Sequence, residues 1–146
     1  MKGRCRVDVQ QLEEAWALRA GAREARLLAA SHVPAALSQL GIVCPGDRLV
    51  AFADDFADAF ARGFDGCDVA MVGEPSVAAF AAASDGFDAS FDAEGPHLWW
   101  FVNSIGGFGL RVPDLRALGR AARGAHALFV VDNTVASAFG CDTLRL

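Results

Sequence analysis

Apolar residues along this chain change their spacing near Cys44. Before it they recur at helical intervals: Leu12-Glu13-Glu14-Ala15-Trp16-Ala17-Leu18-Arg19 sets Leu12, Ala15 and Trp16 along one side, extending to Arg19. A second helix is predicted from Ser31, a candidate N-cap, through Ala35-Ala36-Leu37-Ser38-Gln39-Leu40 to Gly41, with Pro34 tolerated in its first turn. Cys44-Pro45-Gly46-Asp47 reads as a turn. Beyond it, short apolar runs predict strands over Arg48–Ala53, Asp68–Val72, His97–Val102 and Ala127–Val131. Between them lie predicted helices over Asp55–Phe64, Ser76–Ala83 and Pro113–Arg123, the last with proline at its start and Gly124 at its end. Strands that alternate with helices, several of them apolar on both faces, mean an α/β domain with a mostly parallel sheet.

Composition narrows the function. The 146 residues suit one domain, and 53% of them are hydrophobic, ample for a core. A net charge of −5 argues against an electrostatic grip on nucleic acid or anionic lipid. There is no tyrosine, and Lys2 is the only lysine. A mechanism that needs a tyrosine acid/base, or a lysine inside the folded core, has no residue here to perform it. Cys5, Cys44, Cys67 and Cys141 lie far apart without a C-x-x-C pair, which reads as reduced thiols in a cytoplasmic protein. The start, Met1-Lys2-Gly3-Arg4-Cys5-Arg6-Val7-Asp8, lacks the apolar run of a secretory signal, and no stretch approaches the roughly 18 apolar residues of a membrane span.

Four signals could carry chemistry. Asp54-Asp55-Phe56-Ala57-Asp58 spells D-D-x-x-D, a magnesium motif where carboxylates face an all-helical cavity; on an α/β chain the solvated acidic start of a helix is the better reading. Ser104-Ile105-Gly106-Gly107-Phe108-Gly109 follows a strand, yet it is neither G-x-G-x-x-G nor a P-loop, so it reads as a connection. His32, His97 and His126 are isolated, and packing or surface positions suit them better than catalysis. Val130-Val131-Asp132-Asn133-Thr134 is more informative, because a carboxylate at the carboxyl end of a parallel strand stands where α/β sheets bind ligands. The competing reading, a strand-end aspartate that caps the next turn, carries similar weight on pattern alone.

At that strand the sequence resembles a known family. Leu128-Phe129-Val130-Val131-Asp132-Asn133-Thr134-Val135-Ala136-Ser137, with Asp142-Thr143-Leu144-Arg145-Leu146 after it, is similar to the V-V-V-D-N-T-F-A-S-P…P-L-E-L stretch of the Cys/Met-metabolism (transsulfuration) enzymes. Leu12-Glu13-Glu14-Ala15 resembles their L-E-E-A helix, and Ser31-His32-Val33-Pro34-Ala35-Ala36-Leu37 falls at their S-G-M-A-A-I. Cys44-Pro45-Gly46-Asp47-Arg48-Leu49-Val50 looks like K-P-G-D-x-V-V, and Asp55-Phe56 falls at D-L-Y-G-G-T-Y. The resemblance implies part of an aspartate-aminotransferase-like (fold type I) cofactor-binding domain, pyridoxal 5'-phosphate as cofactor, and a small sulfur-containing amino acid as substrate. It implies β- or γ-elimination or replacement on cysteine, cystathionine, homocysteine or an O-acylhomoserine.

Roles follow residue by residue. Asp132 matches the aspartate that pairs with the pyridine nitrogen; an ionised carboxylate there keeps that nitrogen protonated and makes the ring an electron sink. Phe56 falls at the tyrosine that stacks on the ring, keeping the stack and losing the hydroxyl. His32 and Val33 occupy the Gly-Met pair whose backbone N–H groups hold the cofactor phosphate. The resemblance puts the family's E-T-P-S-N-P element near Val102 to Phe108, where its asparagine aligns with a glycine. The Schiff-base lysine, the N-terminal arm and the C-terminal domain have no counterpart within residues 1–146, so the whole chain reads as a truncated cofactor-binding domain.

The expectation is that these residues alone neither attach the cofactor covalently nor turn over substrate. The alternative is a diverged, non-catalytic remnant that binds pyridoxal phosphate weakly or pairs with a full-length partner. An unrelated nucleotide-binding domain would need a glycine-rich loop after the first strand, where Ala53-Asp54-Asp55 stands instead. A sheet cut after its Ala127–Val131 strand would leave an apolar edge, so association with further copies or with a longer chain is expected.

Overall fold

The most apolar of the predicted strands, β3 (Leu98–Asn103), is buried on both faces. In the computed structural model, residues 8–27, 33–52, 63–89, 95–106, 109–133 and 136 are described. β3 is flanked by β1 (Arg48–Phe52) and β4 (Ala127–Asp132), and β2 (Asp68–Val72) pairs with the far side of β1. The order is β2-β1-β3-β4 and every pairing is parallel. The expected α/β architecture is the observed one.

Five helices were predicted, and four appear among the described residues. α1 (Val9–Ala20) is capped by Asp8, whose carboxylate accepts the Gln10 N–H at 3.0 Å, and ends at Gly21 in a left-handed turn. Its buried position is Ala17, whereas Leu12 and Trp16 keep 37% and 41% exposure. The chain turns back after Gly21 and ties to the helix by the Leu27 N–H on Glu13 Oε1, 2.8 Å. α2 (Val33–Gln39) lies within the predicted span, and its candidate cap Ser31 falls outside the described residues. So does most of the predicted Asp55–Phe64 helix; its described end, residues 63–66, is a turn in which Phe64 is buried.

α3 (Val77–Ser84) is capped by Ser76, and α4 (Leu115–Gly124) by Asp114, each oxygen accepting the N–H three residues on. Pro113 therefore precedes the cap of α4 instead of opening the helix, because the carboxylate of Asp114 satisfies an orphan donor that proline cannot. Gly124 is still helical; the left-handed residue that turns the chain into β4 is His126, at φ 56°.

Alternation along the strands builds two cores. On one face, Val50, Phe52, Phe80, Trp100, Val102, Leu118 and Ala122 join α3 and α4 to the sheet. On the other, Val43, Leu49, Ala51, Phe64, Trp99 and Phe101 pack with Leu37 of α2. Adjacent tryptophans thus serve opposite cores, and each finds an acceptor for its indole N–H. Trp100 donates to Ser84 Oγ at 2.9 Å, and Ser84 passes its own proton to the Phe80 carbonyl at 2.8 Å. Trp99 donates to Asp47 Oδ2 at 2.9 Å.

Asp47 is the hub of the sheet's amino edge. It is 1% exposed, and its carboxylate also accepts the backbone N–H of Cys44 at 2.9 Å and of His97 at 2.8 Å. Its backbone continues the tie: Asp68 N–H donates to the Asp47 carbonyl, 2.9 Å. Next to it, Gly46 N–H meets the Gly66 carbonyl at 2.9 Å. Gly66 sits at φ 79° with space for a Cβ only 3.1 Å from Pro45 Cβ, so a side chain there meets both strain and contact.

Candidate functional site

Strand order decides where a ligand fits. From β1 the chain moves outward to β2, then crosses back over β1 to β3 and continues to β4. The connections leaving β1 and β3 therefore diverge, and the carboxyl ends of these two strands open the crevice where open parallel sheets bind ligands. β3 and β4 run in register to their ends, pairing Asn103 with Asp132. Asp132, exposed, is the last residue of β4, so it stands at the carboxyl edge of the sheet, beside β3 on the side away from β1.

The backbone fixes the rim. Ser104 N–H donates to the Asp132 carbonyl at 2.8 Å, which extends the β3–β4 ladder past the strand end. The chain then folds back, Gly106 N–H meeting the Arg111 carbonyl at 2.7 Å, and Arg111 Nη1 reaches the Gly73 carbonyl beyond β2 at 2.9 Å. The described ends of the segment after β3, Gly106 and Arg111, are thus paired antiparallel at the carboxyl edge. Ser104 itself is 3% exposed, and among the described residues its hydroxyl has no hydrogen-bond partner.

Of the residues singled out in the sequence, Asp132 ends β4 at the carboxyl edge of the sheet, and Val33 opens α2. Phe56, His32 and the D-D-x-x-D aspartates lie outside the described residues. His97 belongs to the opposite edge, its Nδ1 3.5 Å from Asp47 Oδ1, and His126 is exposed in the turn before β4. Cys44 and Cys67 are free thiols there too. Burial pushes the Cys67 thiol up from its ordinary range, and the nearby Asp47, Cys44 and Asp65 push it the same way, so it stays protonated at neutral pH. Ser104 and Asp47 were not singled out as functional residues by pattern. A serine in a glycine-containing run looks like any loop serine, and the proline–glycine–aspartate run announces a turn without announcing burial.

No protein-family model and no curated protein matches the sequence. Solved structures do. A methionine γ-lyase from Micromonospora echinospora aligns over 92% of this chain at 27% identity with a TM-score of 0.66. This chain resembles the transsulfuration enzymes. The metB protein of Corynebacterium glutamicum aligns over 92% of the chain at 24% identity and a TM-score of 0.72. An O-acetylhomoserine sulfhydrylase of Wolinella succinogenes aligns over 86% at 23% and 0.67, and these two likenesses speak for the fold alone. The chain covers 36%, 34% and 35% of those proteins, so what it shares with the transsulfuration enzymes is a part of their fold type I domain. No helix among the described residues is long and apolar enough to cross a membrane.

Proposed function

We propose that this chain binds pyridoxal phosphate at the carboxyl edge of its sheet, as the cofactor-binding part of an enzyme acting on sulfur-containing amino acids by β- or γ-elimination or replacement. The observation that carries the proposal is the placement of Asp132. Asp132 ends β4 at the carboxyl edge of a parallel sheet, in register with Asn103 of the central strand, in a fold shared with a methionine γ-lyase, and this supports the reading. The described residues fit the non-covalent part of such binding through that exposed carboxylate. They include no lysine.

When bound, pyridoxal phosphate supplies a conjugated ring that draws electrons from a substrate carbon. The chain's own part is to hold and bias that ring. Asp132 would hold a proton at the ring nitrogen through a charge-assisted hydrogen bond. By the resemblance, Phe56 would cover a ring face by stacking, and the backbone N–H groups of His32 and Val33 would meet the phosphate. The substrate's α-proton has no acceptor among these groups, so the 146 residues alone bind without turning over substrate. Association with further copies or a longer chain belongs to the same proposal. Among the described residues β4 has one neighbouring strand, and Leu128, Phe129, Val130 and Val131 along it are only partly buried.

Thermal melts with pyridoxal phosphate and with ATP separate this from a nucleotide-binding reading. A ligand held by the folded state alone at a hundred times its Kd stabilises by about 2.7 kcal/mol, which raises Tm by about 8 °C. That rise is expected with pyridoxal phosphate. A rise with ATP and none with pyridoxal phosphate would reverse the assignment.

A further inference from the structure

Cys44 and Cys67 meet at the amino edge of the sheet, 23 positions apart in the chain and at the opposite end of the strands from Asp132. Both are free thiols, and both are half-buried. The contact between the two residues is direct: the Cys67 thiol donates to the Cys44 carbonyl oxygen at 3.2 Å. That oxygen is two bonds from the Cys44 Cα, so the Cys67 sulfur lies no more than about 5.6 Å from the carbon that carries the Cys44 side chain. The Cys44 sulfur itself rests on the Gly41 carbonyl at 3.5 Å, a weak contact for a thiol, and rotation about its Cα–Cβ bond is free to break it.

The backbone brings these residues together without help from the thiols. Gly46 N–H donates to the Gly66 carbonyl and Asp68 N–H to the Asp47 carbonyl, each at 2.9 Å, while Asp47 Oδ2 accepts the Cys44 N–H at 2.9 Å. A serine at either cysteine leaves all three bonds in place. We propose that Cys44 and Cys67 close into a reversible disulfide when the chain meets hydrogen peroxide, a staple between the turn before β1 and the loop before β2.

Oxidation begins at Cys44, because burial and the neighbouring Asp47 keep the Cys67 thiol protonated. The Cys44 sulfur attacks one peroxide oxygen, the O–O bond breaks, and the departing hydroxide takes the thiol proton and leaves as water. Cys44 is then a sulfenic acid, oxidised by two electrons while the peroxide is reduced. The Cys67 sulfur attacks the Cys44 sulfur, the S–S bond forms as the S–O bond breaks, and the second hydroxide takes the Cys67 proton as water. A small thiol reductant restores both cysteines and is itself oxidised to its disulfide. None of this involves the carboxyl edge, so the inference stands or falls apart from the reading of that edge as a pyridoxal phosphate site.

The test treats the 146-residue chain with hydrogen peroxide, alkylates the remaining thiols under denaturing conditions and maps the tryptic peptides. Cleavage after Arg48 and Arg62 separates the two cysteines, so a disulfide appears as a linked peptide pair that dithiothreitol parts. The expected product is that one pair, lighter by two hydrogens than the reduced peptides and lost in both Cys44→Ser and Cys67→Ser. The oxidised chain should melt about 10 °C above the reduced one, since the link closes a loop of 23 positions in the unfolded state. Alkylation of both Cys44 and Cys67 after peroxide would overturn the proposal. So would a sulfinic acid at Cys44 in place of the link, a mixture of pairings that draws in Cys5 and Cys141, or a linked chain that melts below the reduced one. The wild-type peptide map and melt decide the matter even where a serine variant fails to fold.

Discussion

Replacing Asp47 by alanine is expected to lower the stability of the ligand-free fold by on the order of 4 kcal/mol, a Tm loss of about 12 °C. The reason is the number of donors that one carboxylate serves. Trp99 Nε1, Cys44 N and His97 N all point at it within 2.9 Å, and it is 1% exposed, so water cannot replace it. Each buried donor left without an acceptor costs about 1–3 kcal/mol. Those donors belong to three places on the amino edge: the loop before β1, the approach to β3 and the indole inside the second core. Their loss is therefore shared by the whole sheet. Asp47→Asn keeps the shape, but its amide nitrogen confronts an N–H where an oxygen stood, so an intermediate loss is expected. Circular dichroism melts check both; a Tm within 3 °C of wild type for Asp47→Ala, on the same scale of about 3 °C per kcal/mol, would contradict the hub.

Replacing Asp132 by asparagine is expected to do the opposite, sparing the fold and removing the ligand. Asp132 is exposed at the end of a strand, and the substitution preserves size, so Tm should move by no more than about 2 °C. An amide, however, cannot stabilise a protonated ring nitrogen by charge. Truncating one side of a charged hydrogen bond at a binding site costs about 2–5 kcal/mol when buried, and an exposed rim stands at the low end, so affinity for pyridoxal phosphate should fall on the order of 50-fold. Equilibrium dialysis at neutral pH measures it. Equal affinities would place the ligand elsewhere.

The two substitutions also divide what could be read from the sequence. The strands were legible because each is a short apolar run closed by turn residues, and β3, with apolar side chains on both faces, announced its central place. Helix starts were less so: proline and aspartate stand side by side before α4, and only the structure shows that the carboxylate of Asp114 makes the cap. On α1 the apolar spacing identified the helix but not its buried side: Leu12 and Trp16 remain substantially exposed while the small Ala17 is covered. The strand-end position of Asp132 was legible because the apolar run before it closes on Asp132-Asn133-Thr134. Asp47 was not legible as a hub, because its partners lie about 50 residues away, with His97 and Trp99 separated from it by 50 and 52 positions. Ser104 was hidden for a related reason, since an unsatisfied hydroxyl is a property of its surroundings and leaves no mark on the sequence.

The central claim is that Asp132 holds a protonated pyridine ring. The ring-nitrogen NMR shift of isotopically labelled pyridoxal phosphate, recorded at saturation with the 146-residue chain at neutral pH, tests it most directly. A pyridinium shift in wild type that reverts to neutral pyridine in Asp132→Asn is the predicted result. A bound ring with the neutral shift in wild type, or no bound signal at all, would contradict it.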